Sequence, residues 1–298
     1  MNNVVDSSFE KKFQRVLLET FQHTIEFLDA YGIRWFACGG TCLGAVRHKN
    51  IIPWDDDVDI FVLREDYEKL FKIRDKLGAY SLDMRSIEDG PDYYQGYIKI
   101  YNNTTTLWER KEYEYVVGIY IDVFPIERSN INGDELLEVM NIYRNAIIYR
   151  ESICVTTFSD ILHWIKEMHL LRIWDRLKIM LKQKDKALSY KKFLESTRLI
   201  RNESNGKYIM CPMGAYGKKD HYPAKWFDQY LSVPFDSFDV KLPVGYHEYL
   251  TQLYGDYMKL PPIEYQRSHH DHYYCNLNEK LSLEECKDRI SKGEFLSF

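Results

Sequence analysis

Residues 53–63 read Pro-Trp-Asp-Asp-Asp-Val-Asp-Ile-Phe-Val-Leu. Four carboxylates in five positions lead straight into a run of apolar residues with strand character. Crowding like charge against an apolar strand is unfavourable unless something positive is bound there. Side chains alternate faces along a strand, so Asp57 and Asp59 share one side while Val58 points to the core. Two carboxylates on one face suit a hard divalent cation, Mg²⁺ or Mn²⁺. The competing reading is a plain acidic turn with no ion.

Upstream, Ile33 to Cys38 is a short apolar run followed by Gly39-Gly40, and Thr41 to His48 reads as a short helix. Glycines let a backbone approach a phosphate closely, and the first amides of a helix are free donors. Gly39, Gly40 and Thr41 are therefore candidate phosphate contacts. A phosphate cradle beside a metal pair is what phosphoryl or nucleotidyl transfer requires. Asp122 is a lone acid in the apolar run Gly118-Ile-Tyr-Ile-Asp-Val-Phe-Pro125. A buried carboxylate needs a partner, and a metal shared with Asp57 and Asp59 would supply one; a backbone-bonded strand-edge Asp is the alternative. Arg47 and His48 follow the glycine turn by one helix, where a donor diphosphate would sit. Lys99, in Tyr97-Ile-Lys-Ile-Tyr101, is read either as a phosphate contact or as a surface lysine lying along an apolar strand.

The 298 residues suggest two domains or one large one, and the net charge of −5 argues against a dedicated nucleic-acid binder. Ser7 to Glu10 reads as a capping box, with Phe13, Leu17, Phe21, Ile25 and Leu28 at helical spacing up to Gly32. Strands are expected at 58–63, 80–87, 94–101 and 116–124, the last ending at Pro125, with a helix from Arg64 to Leu77 closed by Gly78. This is an α/β pattern, helices on a mixed sheet. Expected divisions are an α/β core over 1–130, a helical region over 131–205, and a C-terminal segment over 206–298 that completes the site. Residues 161–192 carry a net charge of +6 beside an apolar stripe. Such a helix either packs on the core or rests on an anionic membrane. The six cysteines form no CxxC pair. With no apolar leader at the start and no span-length apolar stretch, they are expected as free thiols in the cytoplasm, at most at its inner membrane face. His269, His270 and His272, with Asp271 and Cys275, match no zinc spacing; Arg267 and His269 are read as substrate-facing candidates, with a solvated polar loop and a zinc site as the alternatives.

Gly39 through Arg47, Ile52 through Ile60 and Asp66-Tyr67 resemble the LicD family of phosphocholine transferases. Ile121-Asp-Val-Phe-Pro125 is similar to its next block, and Tyr249 through Pro262, then Arg267 and His269, to its last. The resemblance implies a nucleotidyltransferase-like fold in which Gly40, Asp57, Asp59 and Asp122 take the glycine and acid positions. It also implies Mg²⁺-dependent transfer of phosphocholine from CDP-choline, or another CDP-alcohol, to a hydroxyl of a glycan or glycolipid such as lipopolysaccharide or teichoic acid. Transfer of a nucleotide from an NTP and a non-catalytic glycan-binding protein are the rival expectations; the second would not need the acids intact.

Overall fold

The computed structural model describes residues 7–90, 92–93, 95–111, 113–142, 191, 203–268, 272–294 and 296–297. The expected apolar stripe and basic run of 161–192 fall outside the described residues apart from Lys191, as do Cys154, His269, His270 and Asp271. Helix α1 (Ser7–Ala30) buries Phe13, Leu17, Phe21, Ile25 and Leu28, the face its spacing predicts. Gly32, at φ +66°, turns the chain out of it. Strand β1 (Trp35–Ala37), helix α2 (Gly39–Arg47), strand β2 (Asp59–Leu63) and helix α3 (Arg64–Lys72) follow.

A mixed sheet runs in the order β1, β2, β6 (Tyr120–Ser129), β4 (Ile98–Asn102), β3 (Leu82–Arg85), and β7 (Tyr208–Met210) with β8 (His221–Pro223) extends the far half of β6. Only β2 and β6 run parallel within it. Strand β5 (Thr106–Trp108) pairs with β11 (Tyr274–Asn276), which also pairs with β12 (Leu296–Ser297). The hairpin of β9 (Tyr230–Phe235) and β10 (Phe238–Pro243) packs against β1. Helix α4 has its described part at 133–142, α5 (Tyr246–Tyr254) packs on α2, and α6 (Leu283–Ser291) begins at a capping box from Ser282 to Glu285.

Two expected boundaries are corrected. Strand β6 does not stop at Pro125 but continues to Ser129. The Asp122 amide donates to the Val58 carbonyl on the β2 side, so position 125 would aim its amide the other way. There β4 pairing has ended at Val123 and β7 pairing has not begun until Glu127, so the missing N–H costs no ladder bond. The helix from Arg64 ends at Lys72, and a 3₁₀ turn takes over from Arg74 to Tyr80. Arg74 holds that turn through the Met84 carbonyl and the Asp89 carboxylate. The left-handed step is taken by Ser81, at φ +58°, and not by Gly78, which was expected to close the helix.

Asp66, buried in the first turn of α3, ties that helix to the start of β1. It accepts from the Arg34 backbone amide (3.2 Å), Arg34 Nε (2.9 Å) and Lys69 Nζ (2.6 Å). Burial alone would raise its pKa; the bonds from Lys69 and Arg34 outweigh it and hold the carboxyl below the ordinary value. A depressed carboxyl contributes stability above its unfolded pKa of about 3.9 and loses it as pH falls through the lower folded value. Asp66→Asn is expected to cost about 1–2 kcal/mol at neutral pH. In urea unfolding the gap from wild type should be constant from neutrality down to weak acid, then close at lower pH.

Candidate active site

The parallel pairing of β2 with β6 sets Asp59 directly beside Asp122, and the antiparallel pairing of β6 with β4 sets Asp122 beside Lys99. Paired residues share a sheet face, so two acids and a lysine form one row across three strands. Asp57 lies in the irregular segment just before β2, not within the strand. The carboxylate oxygens of Asp55, Asp56 and Asp57 lie within 4.8 Å of one another. Asp57 is common to this triple and to the expected set of Asp57, Asp59 and Asp122, in which Asp122 is also engaged by Lys99. Asp55 and Asp56 stand outside the expected metal set. This all-oxygen donor set suits a hard divalent cation.

Loss of solvation, then the charges of Asp57, Asp122 and Asp55, push the Asp59 carboxyl well above its ordinary value, with Lys99 opposing. Burial likewise raises Asp122, Lys99 pulls it back, Glu109 and Asp57 add to the rise, and the result is about 6. Lys99 is 1% exposed, which overturns the surface-lysine reading. Its Nζ donates to the two Asp122 oxygens at 2.9 and 3.3 Å, lies 3.3 Å from Glu109 Oε1, and sits 3.2 Å from the centre of the Tyr120 ring. In this arrangement Lys99 is a counter-ion inside the acid cluster. Burial works against its charge, but Asp122 and Glu109 outweigh it and raise its pKa. Tyr120 donates its hydroxyl to Glu109 at 2.7 Å. Glu109 was not singled out from the sequence; it opens the charged run Glu109-Arg-Lys-Glu112, which reads as a solvated turn.

The glycine turn closes on the same acids. Helix α2 starts at Gly39 itself, two residues before the expected start at Thr41. The Gly39 amide donates to the Tyr249 hydroxyl at 2.8 Å, so one of the three expected phosphate donors already has a partner. The Gly40 and Thr41 amides, in the first turn of α2, have no carbonyl four residues back in the helix. Thr41 uses its hydroxyl to accept from the Asp59 amide at 2.8 Å, pinning the start of β2. A Cβ on Gly40 would stand 2.7 Å from Asp55 Oδ2, so glycine there lets helix and acidic turn meet. Arg47 donates to His48 Nε2 and to the Tyr257 carbonyl, both at 2.9 Å, and so holds the 257–259 backbone rather than reaching the acids. Burial lowers the Arg47 pKa against a smaller opposing effect of Tyr254. Burial and the Arg47 charge lower that of His48, whose ring meets Trp54 edge-on.

The C-terminal segment supplies further walls. Tyr216 donates its hydroxyl to that of Tyr254 at 2.9 Å, and the Tyr254 oxygen lies 3.9 Å from where a Gly39 Cβ would be. Ser268 donates to Asp56 at 2.5 Å. His272 approaches the same oxygen at 3.7 Å while its ring stacks on Phe13. Arg267 is exposed beside them, and His269 lies outside the described residues. The zinc alternative named His269 and His270 and so also lies there in part. Cys38, Cys42, Cys211, Cys275 and Cys286 are buried free thiols, as expected of them. Among the described residues no helix is long and apolar enough to cross a membrane.

Residues 32–155 match the family model described as LicD/FKTN/FKRP, nucleotidyltransferase domain. The chain is 29% identical over 263 residues to the lipopolysaccharide cholinephosphotransferase LicD of Haemophilus influenzae, covering 86% of this chain and 94% of that one. It is 39% identical over 71 residues to the human ribitol 5-phosphate transferase FKRP, which takes in 24% of this chain and 14% of FKRP. A 50-residue stretch is 46% identical to the uncharacterized protein RP689 of Rickettsia prowazekii, covering 17% of this chain and 19% of that one.

Lys99→Met would leave Asp122 and Glu109 as buried acids without their cation. Breaking a buried pair from one side costs about 3–5 kcal/mol. Urea unfolding should show that loss, and the double change Lys99→Met with Glu109→Gln should recover part of it.

Proposed function

We propose that this chain, a phosphoryl-group transferase with a LicD-family nucleotidyltransferase domain across residues 32–155, moves phosphocholine from CDP-choline to a hydroxyl of a cell-surface glycan and releases CMP. The observation that carries the reading is the row of acids. Asp59 and Asp122 are in register across β2 and β6, with Asp57 and Asp55 beside them and the Gly40 turn touching Asp55. The donor rests on the likeness to the Haemophilus enzyme, whose name specifies choline phosphate and lipopolysaccharide; the FKRP likeness keeps other alcohol phosphates within the class.

Asp57 and Asp59 would hold Mg²⁺ or Mn²⁺, with Asp122 completing the set. A bound cation would neutralise charge on the diphosphate and strengthen the leaving group. The Gly40 and Thr41 amides would donate to phosphate oxygens at the start of α2. The acceptor oxygen bonds to the phosphorus bearing choline, the bond from that phosphorus to CMP breaks, and the hydroxyl proton passes to the Asp122 carboxylate. Lys99 keeps Asp122 aimed and its charge compensated. In this reading 1–130 is the catalytic core, 131–205 a helical insertion, and 206–298 contributes Tyr249, Tyr254 and Ser268 to the walls, in a protein working at the cytoplasmic face of a membrane.

Asp57→Asn and Asp59→Asn should each lower CMP release from CDP-choline by at least about 100-fold, the scale of losing one preorganised electrostatic contact. Melting should be unchanged or raised, because like-charge repulsion is relieved. CDP-choline with Mg²⁺ at 100 times its Kd should add about 2.7 kcal/mol of stability to wild type. Release of pyrophosphate from CTP in place of CMP from CDP-choline would overturn the reading in favour of nucleotide transfer. A folded Asp59→Asn protein with wild-type turnover would remove the acids from the chemistry.

A further inference from the structure

Two tyrosines from different elements meet beside the acids. Tyr254 ends α5, and its hydroxyl oxygen and Asp59 Oδ2 flank one point, 3.9 and 3.5 Å from where a Gly39 Cβ would stand. Tyr216 donates its hydroxyl to that of Tyr254 at 2.9 Å, and the two rings cross at 87° with their centroids 5.6 Å apart. Tyr216 is still 41% exposed, so a large aromatic side chain is left open beside a polar cleft.

The pair is held in place. The buried Asp220 carboxylate accepts from the Tyr216 amide at 2.7 Å and from the Tyr222 hydroxyl at 2.8 Å, so the turn that carries Tyr216 closes round a fixed anion. Lys219 Nζ donates to the Leu253 carbonyl at 3.0 Å, and Gln252 Nε2 donates to the Lys219 and His221 carbonyls at 2.7 and 3.0 Å, tying the same turn to α5. Two ring faces at a right angle make a corner. A flat group, a nucleobase or the face of a sugar, can stack on one of them only, whereas a compact rounded group can touch both. Ring faces attract cations. The charge around them has the matching sign. Burial first, then Asp220 and Asp59, raise the Tyr216 pKa against the bond to Tyr254, and burial, Tyr216 and Asp59 raise that of Tyr254. Neighbouring cations are engaged elsewhere: Lys218 with Asp134, Lys219 with the Leu253 carbonyl, and Arg47 with the Tyr257 and Lys259 carbonyls.

We propose that Tyr216 and Tyr254 form the corner that receives the quaternary ammonium of the donor, and that they select choline among alcohol phosphates. This rests on the CDP-choline reading above and adds to it the residues that recognise the alcohol. Choline carries its ammonium two carbons from the phosphate oxygen. With Tyr254 and Asp59 on either side of Gly39, an ammonium in the corner leaves the phosphate at the acids and the glycine turn.

The test is calorimetric binding to the full chain with Mg²⁺ present. The ligands are CDP-choline, CDP-3,3-dimethylbutanol, in which a neutral carbon replaces the ammonium nitrogen, and CMP, which lacks the arm. Wild type should bind CDP-choline about tenfold more tightly than the neutral isostere, the scale of a cation held against aromatic faces. Tyr216→Leu should weaken CDP-choline by about tenfold, close most of the gap to the isostere and leave CMP unchanged. Tyr216→Phe and Tyr216→Trp keep a ring face and should stay within about threefold of wild type. The position is exposed, so the fold should survive, and melting of each variant checks this. Wild type that does not distinguish CDP-choline from its isostere would overturn the corner with no variant needed. So would Tyr216→Leu binding CDP-choline as wild type does. An equal loss for CDP-choline and CMP would overturn it in favour of a ring stacked on cytosine. In each of these cases CDP-choline binding by wild type leaves the donor reading standing. Wild type that binds CDP-ribitol or CTP but not CDP-choline would instead overturn the donor reading, and the corner with it.

Discussion

The site depends on one pairing, β2 alongside β6 in parallel, which forces Asp59 and Asp122 to be neighbours. Loss of solvation displaces both carboxyls upward in pKa, with Asp57 and Asp122 adding to the rise of Asp59, and Glu109 and Asp57 to that of Asp122. The sheet tolerates this because β4 brings Lys99 into the same row, where its ammonium also meets Glu109 and the face of Tyr120. The compensation is partial: Glu109 Oε2 is buried with no hydrogen-bond partner. An acid cluster with one internal cation and an unsatisfied oxygen has a standing demand for further positive charge or donors.

Around that row, parts distant in sequence are drawn in by hydrogen bonds to backbone. Thr41 anchors the amide of Asp59, Tyr249 anchors the amide of Gly39, and Arg47 anchors the carbonyls of 257–259. Each contact joins the N-terminal glycine–acid unit to a neighbour that fixes its orientation. The C-terminal segment is thus part of the site's frame: it adds strands to β6, a helix against α2 and a serine to Asp56.

Several sequence expectations met tertiary constraints that spacing does not encode. Pro125 reads as a strand end because proline lacks a donor, yet it falls where β6 has no partner on that side. Gly78 reads as a helix stop, yet Arg74 winds the chain into a tighter turn and Ser81 takes the left-handed step. Lys99 reads as amphipathic because its strand alternates, yet the neighbours that claim its charge sit on β6 and after β5.

Local sequence determined the α/β pattern, the apolar face of α1, the glycine turn and the acidic run, because helix and strand periodicity and backbone freedom are properties of near neighbours. It also marked Asp57, Asp59 and Asp122 as acids with no apolar reason to be where they are. Only the tertiary structure decided which acids stand together, that Lys99 is their counter-ion, that Tyr249 takes the Gly39 amide and that Glu109 belongs to the cluster. Those outcomes follow from strand order and register, which join residues tens or hundreds of positions apart, and a pattern read along one strand contains no information about the strand beside it.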